Sequence, residues 1–400
     1  MNFFVFVRRH ARPLAFGVLH SFYSAPGQTF FIGLFVASFS ASFDLTPGSL
    51  GALYLPATLG AAATLLLLGH WIDHIRLVHY SAACIVGLGA ACFLASAAGG
   101  AATLLLALYL LRLTGQGLMV HVEATATARA FDAERGRALG VTALGFPLSE
   151  LAFPPIAVAG IAVLGWRPTY ALFGAVALLV LLPATQWLLH GISRSPRQFG
   201  AGPGAWRRML VGLNRLLRSR YVWAALPAMA LMPFHSTAIM FHITNIAADR
   251  GWPLSLIAAS FPASAAASVA GLFLSGQIID RLSAKKLFLV QSVPLLAGVA
   301  LLAAFRAPWV LPVTFACIGF SGGLTKTTMT AMWAEIFGPE TLGTIRSAIA
   351  MYLVFASALS PFVFGAALSA GMSISAVLAT MAAVGVLLAI PPVAAERRGL

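Results

Sequence analysis

The sequence predicts an all-α membrane protein with twelve transmembrane helices, arranged as two six-helix bundles related by a pseudo-twofold axis. Three observations lead to this fold class. First, 60% of the 400 residues are apolar and only 9% are charged, whereas about a quarter of the residues in a soluble domain are charged. Second, the apolar residues fall in runs of about 20, the length that spans a bilayer. Third, the two halves of the chain repeat each other at a nearly constant offset.

Apolar runs of this length are predicted to be helices, because lipid offers an irregular backbone no hydrogen-bond partners. Abundant Ala and Gly within the runs favour close approach of neighbouring helices. The runs define a first bundle over residues 1–190, a linker over 191–221 and a second bundle over 222–400. The predicted spans are 14–42, 48–71, 79–99, 101–129, 137–164, 168–190, 222–247, 254–278, 286–305, 308–334, 343–370 and 373–393.

Positive charge is unevenly distributed between the predicted loops. Of the 25 Lys and Arg residues, 20 lie in loops on one side of the predicted topology. Such a bias marks the cytoplasmic side, so we expect both termini in the cytoplasm and the protein in the plasma (inner) membrane of a bacterium. Because the net charge of +14 is spread over these short loops, it indicates a lipid bilayer as partner and no nucleic acid.

The sequence excludes several classes of function. Cys84, Cys92 and Cys317 fall inside predicted spans, so neither a disulfide framework nor a metal site is predicted. No glycine-rich phosphate loop and no catalytic triad occur, and no loop has room for an ATPase domain. We therefore expect no enzyme and no cofactor. The apolar stretch that begins near Leu14 has no cleavage site after a short core, which favours a retained helix over a signal peptide.

The linker between the halves contains the longest polar stretch of the chain, from His190 to Arg220. Its second part places apolar residues at helical spacing between arginines, which is typical of an amphipathic helix on a membrane surface. An ordinary basic linker fits equally well. The apolar positions are Trp206, Met209, Leu210, Leu213, Leu216 and Leu217.

On either side of this linker, matching residues recur at an offset of 206 or 207. Chance matches would not share one register through four separate places, so the repeat indicates two structurally equivalent halves. The matched pairs are Gly69 and Asp73 with Gly276 and Asp280, Pro47 with Pro253, Phe131 and Glu134 with Phe337 and Glu340, and Pro154 with Pro361.

The loop after the second span of each half carries the most specific motif. In the second half this motif comprises Gly276, Asp280, Arg281, Lys285 and Lys286, and in the first half Gly69, Asp73, His74 and Arg76. It resembles the loop motif of the major facilitator superfamily. The segment from Arg112 to Gly117 in the fourth span is similar to another motif of that family. The segment from Arg135 to Gly140 is similar to the start of the fifth helix in monocarboxylate and organic-anion carriers.

The resemblance implies a secondary transporter that functions as a monomer without a cofactor. It also implies that the first and fourth helices of each half line a central cavity, which opens alternately to the two sides of the membrane. Polar side chains at mid-depth in these helices are therefore candidates for substrate binding, since ionisable groups are costly there. We expect a small-molecule substrate to contact Gln28, Arg112, His235 and Lys326.

Each candidate also has a structural interpretation. Arg112 fits a bidentate contact with an anionic group, but it equally fits a bond to the neighbouring first helix. Lys326 has no carboxylate nearby in sequence before Glu335; it either binds the substrate, extends toward the cytoplasm or pairs with Glu123 or Glu150. His235 titrates near physiological pH or serves as a satisfied structural histidine.

Glu150 is the candidate for proton coupling. It lies in the fifth span between Pro147 and Pro154, where a buried carboxyl group without a partner would hold its proton. Pairing with Arg112 is the static alternative. For gating, the loop motif implies Asp73 and Arg76 in the first half, with Asp280 and Arg281 in the second.

These features favour a transporter of a small organic anion similar to a monocarboxylate, working as a symporter with protons. Proton-coupled efflux of hydrophobic or drug-like compounds is the first alternative. A membrane sensor that transports nothing is the second alternative; its expected feature would be an added soluble domain.

Overall fold

A computed structural model describes residues 3–131, 134–190, 211, 214–337 and 342–397. The regular secondary structure in these ranges is helical. Most of the predicted amphipathic helix over 206–217 lies outside the described residues. The helices of the first half are α1 (Phe3–Arg9), α2 (Ala11–Phe22), α3 (Thr29–Phe43), α4 (Pro47–Leu68), α5 (Leu77–Ser96), α6 (Ala101–Leu111), α7 (Val120–Ala130), α8 (Arg135–Ala143), α9 (Gly145–Leu164), α10 (Trp166–Val176) and α11 (Leu182–Leu189).

The second half continues the numbering. It contains α12 (Arg220–Phe241), α13 (Ile243–Arg250), α14 (Leu254–Arg281), α15 (Ala284–Val290), α16 (Val293–Ala304), α17 (Val310–Phe337), α18 (Leu342–Ser369) and α19 (Ile374–Arg397). The chain divides into two compact units, Met1–Leu45 with Ala52–Phe199, and Thr46–Gly51 with Gly200–Leu400. The predicted boundaries at 1–190, 191–221 and 222–400 stay predictions.

Ten helical segments of the described chain are long and apolar enough to cross a membrane. Two predicted spans are not among the ten. One is the first span, which the structure divides into α2 and α3. The other is the tenth span, which corresponds to α17, a helix of 28 residues and thus about 42 Å in length.

The first span departs from the predicted continuous helix over 14–42. Between α2 and α3 lies a 3-10 turn at Ala25–Gly27, followed by Gln28 in an extended conformation with φ −84° and ψ 148°. Pro26 has no amide hydrogen for the helical ladder. The break therefore exposes backbone carbonyl groups inside the span, at the place where the candidate site forms.

The fourth span also departs from regular geometry. Residues Arg112–Met119 form a π-helix between α6 and α7, an arrangement that is rare and often occurs at functional sites. Gly115 of this segment crosses Gly27 of the first span at backbone contact: a Cβ atom on Gly115 would lie 2.7 Å from the Gly27 Cα. Only glycine permits so close a crossing.

Aromatic side chains fill the core of the first unit. The Phe31 ring lies 4.9 Å from Phe173 and 5.7 Å from Tyr170, between centroids. Phe173 also stacks on Phe153, and the Tyr23 hydroxyl donates to the Phe173 carbonyl at 2.6 Å. The core thus joins the first span to α9 and α10 and fixes the position of the break between α2 and α3.

The second unit uses glycines for its closest helix pair, α14 and α17. A Cβ atom on Gly319 of α17 would lie 2.8 Å from the Ser264 carbonyl carbon and 2.9 Å from the Ser264 Cα of α14. Gly323, one turn further along α17, meets the backbone of α14 at Leu272. Small residues at this spacing let the two helices pack backbone to backbone.

We expect Gly319→Ala to lower the melting temperature of the purified protein in detergent by several degrees, because the added methyl group meets backbone atoms that cannot move independently. Gly276→Ala is the matched control on α14, since no described atom outside its own helical turn lies within 4 Å of the position of its added Cβ. Alanine is less flexible than glycine within a helix, so the melting temperature of this variant should equal that of the wild type or be slightly higher. Equal melting temperatures for the two variants would contradict the proposed packing.

Candidate functional site

Arg112 is the central residue of the candidate site in the first unit. Its side chain is only 3% exposed and extends from the start of the π-helix toward the break in the first span. Its Nη1 donates to the Gly27 carbonyl at 3.1 Å and to Thr29 Oγ1 at 3.2 Å. The guanidinium also lies over the Tyr54 ring, 5.2 Å from the centroid. Arg112 therefore holds the carbonyl group that the helix break leaves without a helical partner.

Some of the hydrogen-bonding capacity of this site is unused. The Arg112 Nε is buried without a hydrogen-bond partner among the described residues, and so is Oε1 of Gln116, four residues further on. Arg112 forms no ion pair within the described chain. A donor and an acceptor thus remain unsatisfied on one segment of the fourth span, and buried polar groups in that state attract a ligand or water.

Gln28 lies within the break itself. Its side chain is 7% exposed, and its amide nitrogen donates to Ser24 Oγ at 3.1 Å. The neighbouring Thr29 Oγ1 lies 2.7 Å from the Tyr54 hydroxyl. The first unit therefore brings Gln28 and Arg112 to one polar region, together with Thr29 and Tyr54.

Glu150 is buried on α9 at the depth of the break. The residues one turn before and after it on the same helix face, Phe146 and Phe153, contact Phe30 and Tyr23 of the first span at centroid distances of 5.8 and 5.4 Å. The hydrogen bonds of Arg112 go to the first span and not to Glu150. Arg112 was expected to pair with Glu150 or to bond to the neighbouring first helix, if its role is structural. Its described hydrogen bonds are those to the first helix.

His235 and Lys326 both lie in the second unit. The His235 ring is buried on α12, with Nδ1 2.9 Å from the Leu231 carbonyl oxygen and Nε2 3.0 Å from the Met381 carbonyl oxygen. The Lys326 side chain of α17 is exposed, and the adjacent Thr325 has a buried hydroxyl without a partner in the described chain.

The loop after α4 contains an ion pair that sequence reasoning missed. Asp73 accepts from Arg129 Nη2 at the end of α7, and Arg129 Nη1 donates to the Ile72 carbonyl at 3.0 Å. Arg76, the predicted gating partner, is exposed and forms no ion pair with a described residue. Arg129 lies far from this loop in sequence, and its basic charge fits the general loop pattern, so nothing in the sequence singled it out.

The corresponding loop of the second unit uses a different contact. The Glu335 carboxylate, near the end of α17, accepts from the backbone amides of Ala284 and Lys285 at 2.9 and 3.3 Å. It thereby satisfies two amides at the start of α15. Asp280 and Arg281 are both exposed, and neither forms an ion pair with a described residue. Their gating role stays a prediction.

The groups that would hold a metal ion are not clustered: no set of three or more His, Cys, Asp or Glu side chains comes together in the described parts of the chain. The first unit instead presents polar groups inside long apolar helices, on a broken first span and an irregular fourth span. Comparison with known proteins identifies the family. The profile of the Major Facilitator Superfamily matches residues 18–361. The chain belongs to this superfamily.

Solved structures agree with this assignment. The nucleoside transporter NupG is 14% identical to this chain, with a TM-score of 0.75 over 98% of this chain and 99% of that chain. A point mutant of NupG gives 0.77 over 96% and 99%, also at 14% identity. A bacterial homolog of the human lysosomal transporter Spinster, inward-facing and occupied, gives 0.74 over 98% and 97% at 14% identity. No curated protein sequence matches significantly.

These matches confirm the predicted twelve-helix fold and membrane location. They also confirm a transporter and not an enzyme. At 14% identity the solved structures show the fold alone, so the substrate, the coupling ion and the site residues are matters for proposal.

We expect the Asp73–Arg129 ion pair to contribute about 0.5–1 kcal/mol, since both side chains are 26% exposed and such pairs are weak when wet. Asp73→Asn and Arg129→Gln should each lower the melting temperature, and the double variant should lower it by less than the sum of the two single changes. Arg76→Gln is the control and should leave the melting temperature unchanged. Additive effects of the first two changes would show that the pair contributes nothing.

Proposed function

We propose that this transporter moves a small organic anion similar to a monocarboxylate, by alternating access and together with protons. The observation that carries the proposal is Arg112, a buried cation in a membrane span that forms no ion pair with the described residues. An Arg at the centre of a span costs about 3 kcal/mol. A substrate carboxylate would neutralise that charge during transport.

The polar region around Arg112 supports this role. Its Nη1 donates to Gly27 and Thr29 and its guanidinium lies over the Tyr54 ring, so the group is preorganised, while Nε has no partner among the described residues. A carboxylate oxygen is a strong acceptor for such a donor. Gln116 offers a second polar contact, and Gln28 lies beside the carbonyl that Arg112 holds.

In the second unit we assign Lys326 as a further substrate contact, aided by the Thr325 hydroxyl, which has no hydrogen-bond partner in the described part of the chain. His235 was a predicted substrate contact as well. Both of its ring nitrogens already lie at hydrogen-bond distance from backbone carbonyls. A direct substrate contact through His235 would require one of these bonds to break.

We assign proton coupling to Glu150. Glu150 is buried on α9, and the aromatic residues one turn before and after it, Phe146 and Phe153, pack against the first span. We keep as part of the proposal a monomer in a bacterial plasma membrane with both termini in the cytoplasm. The distribution of Lys and Arg supports that orientation.

A second candidate function is proton-coupled efflux of hydrophobic or drug-like compounds. The specific observation that favours it is the setting of Glu150, a buried acid on the same face of α9 as Phe146 and Phe153. Aromatic faces and an acid together suit a lipophilic cation. Raised toxicity of lipophilic cations after deletion of the gene would favour efflux over anion uptake.

The direct test is uptake by proteoliposomes that contain the purified protein. Labelled small carboxylates are offered with and without an inward proton gradient, and nucleosides are included because a structural relative is a nucleoside transporter. Carboxylate uptake that rises with the gradient supports the proposal. Absence of carboxylate uptake under both conditions would refute it and favour the efflux candidate.

We expect Arg112→Gln to lower the initial rate of anion uptake at least about tenfold, because a hydrogen bond to a charged group contributes about 1.5–3 kcal/mol. Lys326→Gln should also reduce the rate, whereas the exposed Lys286→Gln should not. Arg112 has a structural role in holding the first span and a proposed role in binding the substrate. Thr29→Val separates these roles, because it removes one structural contact of the guanidinium and leaves its charge in place. Unchanged uptake by both the Arg112 and Lys326 variants would end the anion proposal.

We expect Glu150→Gln to abolish the stimulation of uptake by a proton gradient while leaving exchange of substrate across the membrane intact. Glutamine keeps the size and polarity of the side chain but cannot release a proton. The measurement compares gradient-driven uptake with counterflow in the same proteoliposomes. Stimulation that persists in this variant would assign coupling to another group.

A further inference from the structure

His235 differs from the other buried histidines in what its ring nitrogens face. Both nitrogens lie at hydrogen-bond distance from backbone carbonyl oxygens, Leu231 on its own helix and Met381 on α19. A carbonyl oxygen can only accept a hydrogen bond, and a neutral imidazole has only one N–H to donate. A neutral ring would therefore turn a lone pair toward one of the two carbonyls. The imidazolium donates to both.

The other two buried histidines serve as an internal comparison. His20 lies between the Phe16 carbonyl and the Ser81 hydroxyl, which can donate to a ring nitrogen. His242 lies between the Pro361 carbonyl and the Asn245 amide nitrogen, which is a donor. Each of these rings is fully satisfied in a neutral tautomer. Among the buried histidines of the described chain, only the surroundings of His235 match a protonated ring.

The fit between His235 and α19 depends on a glycine. Gly385 lies one turn after Met381, and a Cβ atom at that position would be 3.1 Å from the His235 Nε2 and 3.4 Å from Cε1. The missing side chain leaves room for the ring edge to reach the α19 backbone. Nearby, the Thr237 and Ser357 hydroxyls pair with each other at 2.8 Å and not with the ring.

No charged side chain of the described chain contacts the His235 ring, so none neutralises its charge or competes for its hydrogen bonds. Helix α12 packs against α13, α16, α17, α18 and α19. The ring contacts the two carbonyls and the neighbouring Phe234 ring, and it touches no titratable side chain of the described residues. The titratable side chains described on α12 and these helices are Arg220, Tyr221, Asp249, Arg250, Cys317, Lys326, Glu335, Arg346 and Tyr352.

We propose that His235 is a proton-binding site of the second unit, and that its protonation controls how firmly α19 is held to α12. When the ring carries the proton, it donates to both helices and links them. When the proton leaves, only one nitrogen keeps an N–H. A ring that keeps it on Nδ1 loses the link to Met381, and a ring that keeps it on Nε2 holds Met381 by a weaker, uncharged hydrogen bond. This inference extends the proposed proton coupling to a second group, but it requires neither an anionic substrate nor Glu150.

The test is ¹⁵N NMR of histidine-labelled protein in lipid bilayers, recorded between about pH 5 and 8. The spectrum distinguishes protonated from unprotonated ring nitrogens. His235→Gln assigns the signal, with His235→Asn as the substitute if the first variant does not fold. His79→Gln, at an exposed position, is the control and should leave the assigned signal unchanged. The measurement is made on the wild-type chain, so it does not depend on transport activity.

The expected result is a ring with two protonated nitrogens at the low end of this range, converting to one protonated and one unprotonated nitrogen as the pH rises. A ring that is neutral throughout would overturn the proposal. A ring that stays doubly protonated throughout would also overturn it, because a fixed cation carries no proton. Either failure leaves the carboxylate uptake experiment untouched, so the two proposals fail separately.

Discussion

The crossing of the first and fourth spans at Gly27 and Gly115 is the constraint on which the candidate site depends. Inside a membrane, every backbone carbonyl that leaves the helical ladder needs a partner. The break between α2 and α3 exposes such a carbonyl at Gly27, and the close crossing brings Arg112 within reach of it. One cation thus stabilises the irregular backbone and still presents an unused donor. Structure and proposed function share the same side chain.

The two units use opposite charges at equivalent positions. Arg129 and Glu335 are related by the offset of 206 that relates the two halves. The first binds an aspartate and a carbonyl group in the loop after α4, while the second binds two amides at the start of α15. Both contacts join the end of a span to a neighbouring loop. The repeat therefore preserves the position of the contact but not the sign of the side-chain charge that forms it.

Composition and run length were enough to predict the spans, because lipid leaves a chain few alternatives to the helix. The bond between Arg112 and the first helix was one of two alternatives that the sequence left open. The break in that helix was missed, although Pro26 and Gly27 form a pair typical of turns. The long apolar run around them outweighed that signal. Residues such as Tyr54 and Arg129 could not be predicted, since their roles come from neighbours distant in sequence.

The carbonyl contacts of His235 could not be predicted from the sequence either, because no residue type indicates which backbone atoms a ring will face. The aromatic core of the first unit and the glycine contacts of the second are intermediate cases. Their composition was visible in the sequence, but the pairing of Phe31 with Phe173, or of Gly319 with α14, appears only in three dimensions.

The π-helix at Arg112–Met119 has a consequence for how this chain can vary in length. A π segment accommodates more residues per turn than the α-helices on either side of it. Deleting one residue within it would convert part of the segment to α-helix, while α6 and α7 would keep facing the same neighbours. The fourth span thus holds a place where evolution can insert or remove a residue in mid-membrane, a change that would rotate one end of a regular span away from its partners.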